Sequence, residues 1–112
     1  MESSCFYMKI KPEGIKGYVD IHKKGNVWNE VLENIKNAGF EKMKIFILDN
    51  CAICYVEAEN IEKAFEYLGK QPGSAKWNDA TSVFMETQPD YESEEVVKTL
   101  ECVFDFEEGK QK

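Results

Sequence analysis

The apolar side chains of this chain repeat at two spacings, and the order of those spacings leaves few folds open. Over residues 5–11, Phe6, Met8 and Ile10 alternate with Tyr7, Lys9 and Lys11. A period of two sends successive side chains to opposite faces, so this is a half-buried strand. Pro12-Glu13-Gly14 stops it: the proline suits the first position of a helix, and the glutamate complements the positive end of the helix dipole. Ile15, Tyr18, Val19 and His22 then share one helical face. Lys23-Lys24-Gly25 breaks that pattern just after the histidine. Asn26 is placed to cap a second helix with a stripe of Trp28, Val31, Leu32 and Ile35, and Gly39 suits the left-handed residue past its end.

The period returns to two over residues 42–48, with Met43, Ile45 and Ile47 opposite Lys44, Phe46 and Leu48. Asp49-Asn50 is turn chemistry, and residues 51–57 read as the returning strand of a β-hairpin. Asn60 caps a helix carrying Ile61, Ala64, Phe65 and Leu68, which Gly69 ends. After the loop Gln71-Pro72-Gly73-Ser74, a further helix presents Trp77, Ala80, Thr81 and Phe84 and runs to Pro89. Residues 90–95 form an acidic loop. Residues 96–106 carry Leu100, Cys102, Phe104 and Phe106 at period two, and residues 107–112 read as a frayed polar tail. Strand, helix, strand, strand, helices, strand is the split β-α-β-β-α-β order of an α+β, ferredoxin-like domain: a four-stranded antiparallel sheet with helices on one face. The reading is one domain over residues 1–112, with its core in residues 5–106.

The other face of that sheet is not polar. Tyr7, Phe46, Ile53, Tyr55 and Val103 all fall to it, which calls for a cavity roofed by loops or for a second subunit. The expectation is both, in a homodimer of the dimeric α+β barrel kind. A formal charge of −7, from 21 acidic against 14 basic residues, repels nucleic acid and anionic membrane surfaces, so neither is expected as a partner. No apolar run reaches the roughly 18 residues of a membrane span, and the expected location is cytoplasmic. Cys5, Cys51, Cys54 and Cys102 each sit in an apolar, strand-like segment, as buried free thiols do. Cys51-Ala52-Ile53-Cys54 has C-x-x-C spacing, but it opens a strand and no second pair completes a zinc site. The structural role is the expectation for all four.

Tyr18 and His22, four residues apart on a helix, project into one space. An imidazole with a pKa near ~6.5 can both give and take a proton at neutral pH, and His22 is the only histidine of the chain. Trp28 belongs to a packing stripe with Val31, Leu32 and Ile35, so it reads as core or dimer contact. No carboxylate pair has the spacing of a glycoside hydrolase, and there is no glycine-rich phosphate loop.

Tyr18-x-x-x-His22, then Val27-Trp28-x-Glu30 with Leu32 and Gly39, resembles the L-rhamnose mutarotases, small dimeric α+β barrel enzymes. The similarity continues through Ile45-Phe46, Val56-Glu57, Lys76-Trp77 with Met85, and Leu100-x-x-Val103-Phe104, spanning about residues 6–106. It implies a cofactor-free and metal-free isomerase that interconverts the α and β anomers of a pyranose, a rhamnose-type deoxyhexose. It further implies His22 as the catalytic proton donor, with Tyr18 and Trp77 binding the sugar. An indole laid on the C–H face of a pyranose is a sound reason for tryptophan at that place. Three features depart from the family pattern. Asn78 stands for the second of two adjacent aromatics, Met43 stands for a tyrosine, and Lys23-Lys24-Gly25 lengthens the segment after the histidine by about two residues. Two other functions suit the same architecture: a cofactor-free monooxygenase or heme-handling protein, and a non-catalytic dimeric binding protein with a remodelled pocket.

Overall fold

The computed structural model describes residues 1–86 and 98–112. Its elements are β1 (Glu2–Lys9), a 3-10 turn (Pro12–Gly14), α1 (Ile15–Ile21), α2 (Asn29–Ala38), β2 (Phe40–Leu48), β3 (Cys51–Ala58), α3 (Ile61–Gly69), α4 (Pro72–Ser82), β4 (Lys98–Thr99), β5 (Phe106–Glu107) and β6 (Lys110–Gln111). The main sheet runs β2-β3-β1-β4, antiparallel at every step. This is the ferredoxin-like α+β arrangement that the order of spacings predicts.

Strict alternation builds the core. Ala52, Cys54, Val56 and Ala58 of β3 are buried, while their sequence neighbours are half-buried on the opposite face. Phe6 and Met8 of β1 join them, and Ile35, Ile61, Phe65 and Leu68 pack on from the helices. Phe6 and Phe40 both meet the ring of Phe65 edge-on, at 5.7 and 5.0 Å between centroids. Phe40 reaches this face because of a bulge. Phe40 pairs with Ala58 but Lys42 pairs with Glu57, so the extra residue restores Met43 and Ile45 to the core side. β2 therefore begins two residues before the sequence pattern suggests.

The last strand differs from its expected span. Within the described residues only Lys98–Thr99 pairs with β1, and the backbone N–H of Leu100 donates to the Cys5 carbonyl at 2.7 Å before pairing stops. Val103 and Phe104 lie beyond the ladder, 84% and 65% exposed, rather than on the sheet. The chain then turns back at Glu108 and Gly109, both at positive φ, into the β5–β6 hairpin, where a frayed tail was expected. Cys102 is exposed, against the expectation of burial; Cys5 and Cys51 are half-buried and Cys54 is buried. All four thiols are free, and Cys51 and Cys54, three apart on a strand, point to opposite faces. Burial, with the Cys5 thiol beside it, pushes Cys54 up to about 12, which makes it unreactive. Pro89, the loop at 90–95 and residue 96 fall outside the described residues.

Two contacts position the helices. α4 ends at Ser82, and the chain then joins β1: Lys11 N–H donates to the Phe84 carbonyl at 2.8 Å, Glu86 N–H to the Lys9 carbonyl at 3.1 Å, and Ile10 bridges Met85. Gly14 and Gly17 then sit directly against Phe84. A Cβ on Gly14 would stand 2.8 Å from the Phe84 carbonyl oxygen, and one on Gly17 would stand 2.3 Å from its ring. Gly14→Ala is expected to cost about 1–3 kcal/mol through forced overpacking against backbone. Gly69→Ala, with open space around its Cβ and a helical backbone, is expected to be neutral or to stabilise by up to about 1 kcal/mol. Urea unfolding of both variants measures the contrast.

Candidate active site

His22 is built from the end of a helix. α1 closes at Ile21, and the His22 backbone N–H donates to the Val19 carbonyl at 3.1 Å. The carbonyls of a last helical turn lack intrahelical donors. The His22 side chain supplies one, its Nδ1 lying 2.7 Å from the Tyr18 carbonyl oxygen. A carbonyl only accepts, so Nδ1 carries the hydrogen, and in the neutral ring Nε2 is left with a lone pair.

Two influences on the imidazole oppose each other. Burial disfavours the cation and lowers the pKa, and the hydrogen bond to the Tyr18 carbonyl raises it; burial is the larger, so the group lies below its ordinary value near 6.5. His22 is therefore neutral at pH 7, poised to accept at Nε2.

The aromatic rings form a line. Tyr18 and His22 are 4.3 Å apart between ring centroids, tilted by 38°. His22 meets Trp77 edge-on at 5.5 Å, and Trp77 meets Trp28 edge-on at 5.0 Å. Tyr18, His22 and Trp77 all line one cavity of about 650 Å³, on the helix side of the sheet. That volume lies within the range of small-molecule sites. Met43, Asn78 and Met85 are also on its wall. Trp77, distant along the chain, is brought together here with Tyr18 and His22, as singled out from the sequence.

Trp28 corrects the sequence reading. It is 40% exposed rather than core, stands at the N-cap of α2, and touches the site through Trp77 without lining the cavity. The helix stripe it heads is a mixed one: Val31 is buried but Leu32 is 53% exposed. Asn26 does not cap α2 either. Its amide donates 2.7 Å to the Asp20 carbonyl, so it ties the segment after His22 back onto α1. Sequence reasoning did not pair Trp28 with Trp77, because helical periodicity records which face a residue shares and not which distant ring it meets.

A family model described as L-rhamnose mutarotase matches residues 3–106. The crystal structure of an L-rhamnose mutarotase from Formosa agariphila superposes with a TM-score of 0.76 and 25% sequence identity, over 96% of this chain and 100% of that one. No curated protein sequence matches the chain. With nearly its whole length matched by the family model, the chain belongs to the L-rhamnose mutarotase family.

Proposed function

We propose that this protein exchanges the α and β anomers of L-rhamnose or a closely similar deoxyhexose, with His22 as the proton carrier and with Tyr18 and Trp77 holding the sugar. The observation that carries this reading is the convergence of Tyr18, His22 and Trp77 on one cavity in a chain of this family. Anomer exchange opens the hemiacetal. The proton leaves the anomeric hydroxyl, the bond from C1 to the ring oxygen breaks as the aldehyde forms, and the ring oxygen gains a proton. Both oxygens sit on C1, so one nitrogen reaches each in turn. Nε2 of neutral His22 takes the proton from the anomeric hydroxyl and delivers it to the ring oxygen. Rotation about the C1–C2 bond turns the other face of the aldehyde, and the same transfers in reverse close the second anomer. The family implies a donor; the Nδ1 hydrogen bond makes His22 first an acceptor and then a donor.

Exchange NMR on L-rhamnose tests this. Interconversion faster than in buffer is expected, and His22→Ala is expected to lose about 10²-fold or more of the acceleration. Exchange at the buffer rate with wild-type protein would sink the reading.

The lowered His22 pKa sets the pH dependence. The unfolded chain binds a proton near pH 6.5, the folded chain only at lower pH. Between those two points the unfolded state holds more protons, so stability falls as pH drops from 6.5 toward the folded value and is fully present above 6.5. The exchange rate is expected to fall over the lower end of that window, as Nε2 becomes protonated. An imidazole titration followed by NMR, with its midpoint below 6.5, checks both.

A homodimer is part of the same proposal. Phe46, Ile53 and Tyr7 stand side by side in register across the uncovered sheet face, with Phe46 55% exposed. Light scattering is expected to give twice the 12.9 kDa of the chain, and a monomer mass at micromolar concentration contradicts it.

A further inference from the structure

We propose that Asn78 is a specificity-determining residue, its amide bonding ring hydroxyls of the sugar next to the Trp77 indole. This rests on the mutarotase reading and adds to it what decides which sugar is held.

Two polar side chains that follow Asn78 on α4 are committed to the backbone of that helix. Thr81 donates its hydroxyl to the Asn78 carbonyl at 3.2 Å, and Ser82 donates to the Asp79 carbonyl at 2.7 Å. The Asn78 amide itself has no hydrogen-bond partner among the described residues. It is half-buried on the wall of a cavity that Met43, Ile45, Leu68 and Met85 also line, with Ser74 and Thr81. An amide carries two donor hydrogens and an acceptor oxygen. A ligand that displaces water from this amide has to return those hydrogen bonds. A pyranose supplies what is missing: neighbouring hydroxyls, each both donor and acceptor, on the edge of a ring whose faces are largely C–H.

The placement divides the work between successive residues. Trp77 offers a flat apolar surface for a C–H face, and Asn78 offers hydrogen bonds for the hydroxyl edge. Both stand on one helix, so their relation is fixed. His22 touches the same indole at 5.5 Å, so a sugar held by this pair is held relative to the proton carrier. The substrate class that follows is an aldose with free neighbouring hydroxyls.

The test measures dissociation constants by ligand-observed NMR for L-rhamnose and its 2-, 3- and 4-deoxy analogues, together with exchange rates. Wild-type protein is expected to bind at least one deoxy analogue about threefold to tenfold more weakly than L-rhamnose. Asn78→Leu, folded by circular dichroism, is expected to bind L-rhamnose weaker by a similar factor and to lose the penalty for that analogue. Asn78→Asp, which keeps the acceptor and loses the donors, falls between. An Asn78→Leu protein with wild-type affinity for L-rhamnose, or one that keeps every analogue penalty, overturns the assignment. Wild-type protein that binds and discriminates but does not speed exchange overturns the mutarotase reading and leaves the Asn78 contact standing. Failure to bind any of the four sugars overturns both.

Discussion

Everything in the site depends on how the backbone around Ile10 is tied. Its N–H donates to the Asn50 carbonyl at 2.7 Å, the Asn50 amide donates back to the Ile10 carbonyl at 3.3 Å, and Ile10 bridges Met85. Its side chain is fully buried. One residue thus joins the end of β1, the hairpin turn of β2–β3 and the chain leaving α4. α1 starts five residues further on and has little freedom in where to go. Gly14 and Gly17 let it lie against Phe84, and that contact aims Tyr18 and His22 at the helix that carries Trp77. A side chain on Gly14 would press on the Phe84 backbone, and one on Gly17 on the Phe84 ring, so α1 could not keep its place against the segment that follows α4.

The electrostatics of His22 follow from the same placement. A helix C-terminus favours a cation, and the Tyr18 carbonyl adds to that preference, yet burial prevails. The outcome suits the proposed chemistry. Anomer exchange moves one proton between two oxygens of a neutral substrate and leaves no net charge behind. A neutral carrier in an apolar cavity avoids holding a standing charge away from water, which is costly. The hydrogen bond at Nδ1 holds the ring and settles which nitrogen is free, so orientation and tautomer have one cause.

What could be read from the sequence divides along a physical line. Period-two and period-3.6 patterns record burial, so Phe6, Met8, Ile10, the β3 alternation and the Asn60 cap, which accepts from Lys63 N–H, were all legible. So was the proximity of Tyr18 to His22, because four residues on a helix fix it. The convergence on Trp77 was legible only by family resemblance, since more than fifty residues of chain separate it from His22 and no local rule spans them. Of the two readings for Trp28, core or dimer contact, the structure rules out the core: apolar spacing on α2 does not by itself mean burial, and this half-exposed ring meets Trp77 edge-on. The last strand was misread for a related reason. Alternation at Leu100, Cys102, Phe104 and Phe106 marks residues able to line a sheet, but alternation does not record pairing, and the chain leaves the edge of β1 after Leu100 although β1 runs on to Glu2.

The alternation of β1, β2 and β3 also separates the cavity wall from the uncovered apolar face of one sheet. Phe6, Met8, Met43, Ile45 and Cys54 line the cavity, and their immediate neighbours Tyr7, Phe46, Ile53 and Tyr55 face the other way. Among the described residues, the groups proposed to do chemistry therefore come from one subunit and one face. A partner on the opposite face would bear on them only through the backbone between. That backbone is stiff where it matters: β3 is the second strand of the four, paired along its whole length to β1 on one side and β2 on the other. A slip of one residue in either register would exchange the faces, filling the cavity with Tyr7 and Tyr55 and exposing Phe6 and Cys54. The bulge between Phe40 and Lys42 acts against such a slip, because it allows Phe40 and Met43 to sit on the core side together only in the observed register. The cavity and the exposed apolar face of the sheet are in this way fixed by the same ladder of hydrogen bonds, and neither can be repositioned without the other.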